Sequence, residues 1–141
     1  MVAAASKSGM LGPLGLVVNG EAGEYVEALS LIVGPRLLET YPARSDEDVL
    51  DLVQSGQADA VVLDEAATDV EPLHLLRMIH RLDEGMLVVI VTGRSDRRLL
   101  EDALRLAAFS VLRKPLRLEA LLFQIHRMMV RLDETLRRDE F

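Results

Sequence analysis

With 141 residues, no cysteine and a formal net charge of −7 at pH 7, the chain suits one domain and cannot form disulfides or thiolate metal sites. Because nucleic-acid affinity depends mainly on cationic side chains that neutralise phosphates, the acidic balance argues against DNA or RNA binding. No apolar run approaches the roughly 20 residues that cross a bilayer, so we expect a cytoplasmic domain that contacts no membrane.

The first third of the chain predicts a tail, two strands and one helix. Residues 1–13 are small and loosely patterned, and we expect a flexible tail there. The unbroken apolar run Leu14–Val18 is typical of a strand buried on both faces. Apolar residues at spacings of three and four then predict a helix over Glu24–Val33, which Gly34-Pro35 terminates. A second strand is predicted over Leu37–Tyr41.

The middle of the chain predicts a capped helix, a buried strand and a third helix. Ser45 is expected to cap the second helix, because Asp48 follows three residues later as in a capping box. The apolar run Ala60–Leu63 predicts the third strand, which ends at Asp64. Apolar residues at helical spacing define the third helix: Leu73, Leu76, Ile79 and Leu82.

The last third of the chain contains the strongest strand signal, Leu87–Val91, which predicts the fourth strand. Ser95 is expected to cap a fourth helix over Asp96–Leu106. A short fifth strand is predicted over Ser110–Leu112, and a long final helix begins near Leu118.

Five predicted strands alternate with five predicted helices, which indicates βαβ units and a parallel sheet covered on both faces. Right-handed crossovers then predict a doubly wound, flavodoxin-like α/β fold with strand order 2-1-3-4-5. In such sheets the chemistry lies at the carboxyl ends of the strands, beside the topological switch point. The residues at those positions are Asn19, Gly20, Asp64, Thr92 and Lys114.

Three of these residues carry a family resemblance. Asp64 ends the third predicted strand, Thr92 ends the fourth, and Lys114, followed by Pro115, ends the fifth. This order and spacing resemble the receiver domain of response regulators in two-component signalling, over residues 14–131. The resemblance implies that Asp64 is the phosphoacceptor and that Thr92 and Lys114 contact the phosphoryl group. It also implies a cis peptide bond between Lys114 and Pro115.

The chain departs from the family at the metal-binding corner. Receiver domains place two acidic residues directly after the first strand to hold Mg²⁺, whereas this chain has Asn19 and Gly20 there. Glu21 lies one position too late to replace them, so Asp64 is the main anionic ligand that is left. We therefore expect no resident cofactor and at most weak Mg²⁺ binding, and phosphoryl transfer then lacks its principal charge neutraliser. Val111 occupies the position of the family's aromatic switch residue and has no ring.

These departures favour an atypical receiver that acts through protein contacts and is not an enzyme. The alternative within the family is a working phosphoacceptor receiver, phosphorylated on Asp64, that regulates an attached or separate histidine kinase. An alternative from another class is a small-ligand or nucleotide binder, but the loop Asn19–Gly23 is poor in the glycine and hydroxyl residues of a phosphate cradle. The three histidines lack metal-ligand spacing: His74, His80 and His126.

The final helix is longer than the fold needs. We therefore divide the chain into a receiver-like domain over 14–131 and a helical extension over 132–141. The apolar residues of the final helix follow the spacing of a coiled-coil seam, which predicts a homodimer through Ile125, Met129, Leu132 and Leu136. The segment Arg138–Phe141 resembles the one that precedes the phosphorylatable histidine in hybrid sensor kinases, so a histidine kinase, its own or a separate one, is the expected partner. The alternative is an ordinary surface helix that frays at its end.

Overall fold

The computed structural model describes residues 12–94 and 96–139, and for residues 136–139 it describes the backbone alone. Most of the predicted tail, the predicted cap Ser95, the side chain of Leu136 and the last two residues lie outside the described part of the chain. Within that part, no helix combines the length and the apolar character that crossing a lipid bilayer requires.

One parallel sheet of five strands forms the centre of the domain, in the order β2-β1-β3-β4-β5. This confirms the predicted strand order, in which β1 lies between β2 and β3. Short runs of apolar and β-branched residues form the strands, which are β1 (Leu14–Val18), β2 (Leu38–Pro42), β3 (Ala60–Asp64), β4 (Leu87–Thr92) and β5 (Ser110–Arg113). Pro42 is tolerated because β2 is an edge strand.

Five α-helices cover the sheet, and two short 3-10 segments follow β1 and β3. The helices are α1 (Val26–Val33), α2 (Asp46–Gln54), α3 (Pro72–Leu82), α4 (Arg97–Arg105) and α5 (Leu118–Asp139). The 3-10 segments span Gly20–Tyr25 and Glu65–Ala67. The fold class is thus a doubly wound, flavodoxin-like α/β sandwich with a long C-terminal helix.

Each face of the sheet has its own apolar core. Residues of α2, α3 and α4 pack against one face, where Val61 and Leu63 contribute from β3. Residues of α1 and α5 pack against the other face, where Ala60 and Val62 contribute from the same strand. The alternation of side chains along a strand explains why the central strands are apolar throughout: both of their faces are buried.

Two helix starts show how local sequence positions the elements. The Asp48 N–H donates to Ser45 Oγ at 3.0 Å, which confirms the predicted cap of α2. At α4 the cap is Asp96, whose side chain accepts hydrogen bonds from the N–H groups of Arg98 and Leu99. A carboxylate at this position satisfies donors that the first helical turn leaves without partners.

The largest departure from the predicted elements lies directly after β1. The predicted helix Glu24–Val33 begins instead as the 3-10 segment at Gly20, and its α-helical part starts only at Val26. Contacts with distant parts of the chain hold this segment, including a hydrogen bond from the Tyr25 hydroxyl to the Leu116 carbonyl at 2.6 Å. Periodicity cannot reveal such contacts, so the tertiary structure sets the helix start here.

The first part of the predicted dimer seam belongs to the domain's own core. Ile125 is 2% exposed, and Met129 and Leu132 are partly buried and pack against the core cluster of α1 and α5. A contact between two copies along this seam would therefore have to use the part of α5 beyond Leu132. The homodimer stays a prediction.

Candidate functional site

The carboxyl ends of β1, β3, β4 and β5 bring the predicted site residues together at one edge of the sheet. Three polar side chains are buried there: Asn19 is 5% exposed, Asp64 1% and Thr92 2%. Lys114 follows β5, and its side chain is 25% exposed. Buried polar groups need hydrogen-bond partners, so the partners of each define what this edge can do.

Both oxygens of the Asp64 carboxylate are occupied by donors from the protein itself. Oδ2 accepts a hydrogen bond from the Glu21 N–H at 2.8 Å. Oδ1 accepts one from the Ala66 N–H at 2.9 Å and lies 2.9 Å from the Lys114 ammonium nitrogen. The carboxylate is thus buried, paired with a cation and bound by two backbone amides, which is the arrangement that stabilises a buried anion.

The main chain after β1 passes directly over this carboxylate. Gly20 has φ +55°, and a Cβ atom at this position would lie 2.5 Å from Asp64 Oδ2 and 2.6 Å from Asp64 Cβ. Asn19 Oδ1 accepts a hydrogen bond of 2.6 Å from the Asp64 N–H. Asn19 therefore fastens β3 through this hydrogen bond, and Gly20 lets the backbone approach Asp64.

Glu21 and Tyr25 bind both backbone groups of Leu116, and we call this arrangement the Leu116 clamp. Glu21 Oε2 accepts a hydrogen bond from the Leu116 N–H at 2.9 Å, and the Tyr25 hydroxyl donates to the Leu116 carbonyl. Glu21 Oε1 lies 3.9 Å from the Lys114 ammonium nitrogen. The clamp joins the 3-10 segment to the loop that begins with Lys114-Pro115, whose peptide bond is cis as the family resemblance implied.

The hydrogen-bond partners of the Thr92 hydroxyl are Glu65 and Arg94. The hydroxyl donates to Glu65 Oε1 at 2.6 Å and accepts a hydrogen bond from the Arg94 N–H at 3.0 Å. Glu65 also forms an ion pair with the Arg94 guanidinium group. Glu65 and Arg94 were not among the predicted site residues. Glu65 directly follows Asp64 and Arg94 lies two residues after Thr92, and nothing in the sequence indicates that these two side chains form a pair.

The charges of Asp64 and Lys114 stabilise each other. Burial is the largest single influence on the Asp64 pKa and raises it. The hydrogen bonds from Glu21, Lys114 and Ala66, together with the Lys114 charge, outweigh burial, so the pKa lies below its ordinary value of 3.8. The Lys114 pKa is raised above 10.5, chiefly by its hydrogen bond to Asp64. The site therefore holds a permanent ion pair at neutral pH.

Comparison with known proteins identifies the class of this doubly wound domain, whose polar residues lie together at the carboxyl ends of the strands. A family model described as the response regulator receiver domain matches residues 24–126. The chain belongs to the response regulator receiver family, whose members are modules of two-component signalling. The matched range begins after β1 and after Asn19, Gly20 and Glu21. No curated protein sequence matches the chain significantly.

Solved structures share the fold at low sequence identity. A CheY-like receiver domain from Methanospirillum hungatei JF-1 is 19% identical with a TM-score of 0.74, over 87% of this chain and 98% of its own. A two-component response regulator from Clostridium difficile is 18% identical with a TM-score of 0.71, over 85% and 98%. The non-phosphorylated HemR receiver domain from Leptospira biflexa is 20% identical with a TM-score of 0.69, over 83% and 94%.

The family implies a Mg²⁺ ion beside Asp64, but the residues present do not fit one. Mg²⁺ requires oxygen ligands in near-octahedral geometry. Asn19 Oδ1, Glu21 Oε2 and both Asp64 oxygens already accept hydrogen bonds from the protein, and Gly20 has no side chain. Among the described residues, no group of three or more His, Asp or Glu side chains is placed to hold a metal.

Proposed function

We propose that this receiver domain transmits signals through protein contacts and that Asp64 is a structural residue, with Mg²⁺-dependent phosphorylation weakened or lost. In this proposal Asp64 occupies the phosphoacceptor position, and Thr92 and Lys114 occupy the positions that contact a phosphoryl group. The observation that carries it is the closure of the Asp64 carboxylate: it is 1% exposed, and both of its oxygens are bound by donors of the protein.

The closed carboxylate is a poor nucleophile for steric and electrostatic reasons. A phosphodonor must reach one carboxylate oxygen in line with its leaving group. At Asp64 the Glu21 N–H and the Gly20 main chain cover one oxygen, and the Ala66 N–H and Lys114 ammonium group bind the other. Opening the site would break these hydrogen bonds before any bond to phosphorus formed, which adds to the activation barrier.

Incubation with acetyl phosphate and Mg²⁺, followed by intact mass spectrometry, tests this proposal. We expect the mass of the wild-type chain to stay unchanged, as for Asp64→Asn treated in parallel. A receiver domain with an intact acidic pocket serves as the positive control for the reagent. A stoichiometric, Mg²⁺-dependent adduct of one phosphoryl group that Asp64→Asn lacks would refute the proposal and establish the chain as a working phosphorylation switch.

We further propose that the partner is a histidine kinase, its own or a separate one, and that the distal part of α5 joins two copies. The support is the length of α5: it continues to Asp139, beyond Leu132, the last of its described side chains that packs against the core. A helix that leaves the domain with an apolar seam suits a two-stranded contact with a second helix.

Analytical ultracentrifugation over a concentration series tests the homodimer. We expect the weight-average sedimentation coefficient of the wild-type chain to rise with concentration and that of Leu136→Glu to stay at the monomer value, because a charge in the seam is not tolerated. Thr135→Glu, a change at an exposed neighbouring residue, is the matched control and should still associate. A wild-type chain that is monomeric at every concentration would exclude this dimer.

A further inference from the structure

A surface groove of about 360 Å³ lies between α5 and the residue that precedes β5. Its lining combines aromatic, apolar and charged side chains, which are Phe109, His126, Arg127, Val130, Arg131 and Glu134. We call it the Phe109 groove. It lies at the amino end of β5, whereas Lys114 follows the carboxyl end of the same strand, so the groove is separate from the site around Asp64.

Two arginines of the groove rest on one aromatic ring. The guanidinium carbon of Arg127 lies 4.7 Å from the centre of the Phe109 ring, and that of Arg131 lies 5.2 Å from it. Since both cations contact the same ring, they are close to each other, and the cation–π contacts restrict their motion. Less side-chain entropy is then lost when the two guanidinium groups bind one ligand.

A buried glutamine orients the first of these arginines. Gln124 is 7% exposed, and its Oε1 accepts hydrogen bonds from the Ser110 hydroxyl at 2.9 Å and from Arg127 Nη1 at 3.0 Å. This partner is neutral and leaves the positive charge of Arg127 uncompensated. Within the part of the chain that the structure describes, neither Arg127 nor Arg131 forms an ion pair with a carboxylate. Two oriented guanidinium groups without a carboxylate partner are suited to a phosphate group, which they can bind through paired N–H donors.

The surface beside the arginines suits a flat ring. His126 and Val130 lie one helical turn apart and line the groove, and Val130 is 43% exposed. The ring of Phe123, which is 60% exposed, lies 6.0 Å from the Arg127 guanidinium carbon. Exposed aromatic and apolar side chains next to arginines can stack on a nucleobase whose phosphate is bound alongside. The net charge of −7 disfavours a long polyanion, so the groove suits a small ligand.

We infer that the Phe109 groove binds a small molecule that carries phosphate beside a flat ring, which is the chemistry of a nucleotide. Arg127 and Arg131 would hold the phosphate oxygens, and His126 and Val130 would contact the ring. Glu134 also lines the groove and is exposed, so its charge weakens the binding of an anion. The inference goes beyond the proposed function, because it assigns a second site through which the domain would respond to a ligand while Asp64 stays closed.

Isothermal titration calorimetry of the full chain with ADP, GDP and inorganic pyrophosphate tests this inference, at low ionic strength and with EDTA present. We expect at least one nucleotide to bind at a single site about fivefold or more tightly than pyrophosphate, because the ring adds contacts. The affinity should fall as the NaCl concentration rises. No saturable binding of either nucleotide, or affinities equal to that of pyrophosphate, overturns the inference. A single-stranded oligonucleotide that binds more tightly than both nucleotides also overturns it, since nucleic acid would then be the ligand.

Variants at exposed residues of the groove locate the binding site. Arg127→Gln and Arg131→Gln should each weaken nucleotide binding about tenfold, because each removes one charged donor pair. Glu134→Gln should strengthen binding about twofold, a gain that loss of a structural contact would not produce. The matched control is Arg81→Gln, which changes the net charge equally at an exposed residue of α3, on the other face of the sheet. Its affinity should equal that of the wild type.

Three results with these variants would contradict the placement of the ligand. Binding that survives both Arg127→Gln and Arg131→Gln overturns the inference. The same holds if Arg81→Gln weakens binding as much as they do, because the effect would then be one of net charge. A Glu134→Gln chain that binds less tightly than the wild type would show that the phosphate does not lie beside this carboxylate.

Nucleotide binding and phosphorylation are tested independently. The titration contains neither a phosphodonor such as acetyl phosphate nor free Mg²⁺, so a phosphoryl adduct on Asp64 would remove the proposed function and leave the calorimetric result valid. Absence of nucleotide binding in a chain that also resists phosphorylation would remove this inference alone.

Discussion

Replacing Asp64 with alanine is expected to lower the free energy of unfolding by about 3 kcal/mol, measured by urea denaturation at neutral pH. The substitution removes the acceptor of the Glu21 and Ala66 N–H groups and of the Lys114 ammonium group. The two amides, whose hydrogen bonds to Asp64 are part-buried, would lose their acceptor, and Lys114, which is 25% exposed, would regain part of its hydration. The loss of unfolding free energy is therefore large, but it is smaller than the loss expected when one partner of a fully buried ion pair is removed.

Whether Asp64→Ala lowers or raises the free energy of unfolding shows whether Asp64 is a structural anchor or a carboxylate under repulsion from its neighbours. A carboxylate that lies among other carboxylates is under repulsion, and its removal stabilises the protein. Asp64 lies among donors instead, so its removal must destabilise. Asp51→Ala on the exposed surface of α2 is the matched control and should change stability by less than about 0.5 kcal/mol. An Asp64→Ala protein more stable than the wild type would show that Asp64 is not a structural anchor.

The pH dependence of stability provides a second measurement on the same residue. Because the Asp64 pKa in the folded state lies below the unfolded value of 3.8, the charged carboxylate stabilises the fold above pH 3.8. This contribution is lost as the pH falls through the folded pKa. The stability difference between wild type and Asp64→Asn should therefore be constant near neutral pH and shrink as the pH falls below about 4. A difference that does not change with pH would show that the charge of Asp64 contributes nothing.

Replacing Gly20 with alanine should cost about 3 kcal/mol of unfolding free energy, which is the second large effect. Part of this cost, about 1 kcal/mol, comes from the positive φ of +55° at Gly20. The rest comes from overpacking, because the new Cβ would lie 2.5 Å from Asp64 Oδ2 and 2.6 Å from Asp64 Cβ. Either the 3-10 segment or the Asp64 side chain must shift, and both are held by hydrogen bonds.

Substitutions at two other glycines serve as controls that separate the cost of the positive φ from the cost of overpacking. Gly56 has φ +83°, and a Cβ atom added there would meet no other atom within 4 Å, so Gly56→Ala should show the backbone cost alone, about 1 kcal/mol. Gly23 has neither a positive φ nor a close neighbour, and Gly23→Ala should be near neutral. If Gly20→Ala costs no more than Gly56→Ala, the main chain does not press on Asp64 and the closed site is refuted.

The sequence was sufficient for the fold because the elements are locally consistent. Unbroken apolar runs such as Leu87–Val91 are typical of buried strands, and their alternation with amphipathic segments determines the order of the sheet. The Ser45 cap could be predicted because both partners lie within one turn of helix. Strand ends differ from the predicted ones by at most one residue, whereas the start of the helix after β1 was mispredicted because tertiary contacts hold the 3-10 segment there.

The contacts of the candidate site were only partly predictable. The carboxyl ends of the strands indicated that Asp64, Thr92 and Lys114 come together, and the neutral residues Asn19 and Gly20 indicated a weakened metal corner. The sequence could not show that the Glu21 amide binds the Asp64 carboxylate directly. It also could not show the Leu116 clamp or the Thr92–Glu65 hydrogen bond, because each joins residues that are far apart in the chain.

The approach of the Gly20 backbone to Asp64 also has an evolutionary consequence. An aspartate that arose at position 20 by a single codon change would meet the same steric conflict as alanine and would add a negative charge beside a buried carboxylate. A carboxylate at position 20 could face a metal beside Asp64 only if the 3-10 segment also moved away and the Leu116 clamp opened. One substitution at this position is therefore expected to destabilise the fold without creating a metal ligand, so a change in function here requires several coordinated substitutions.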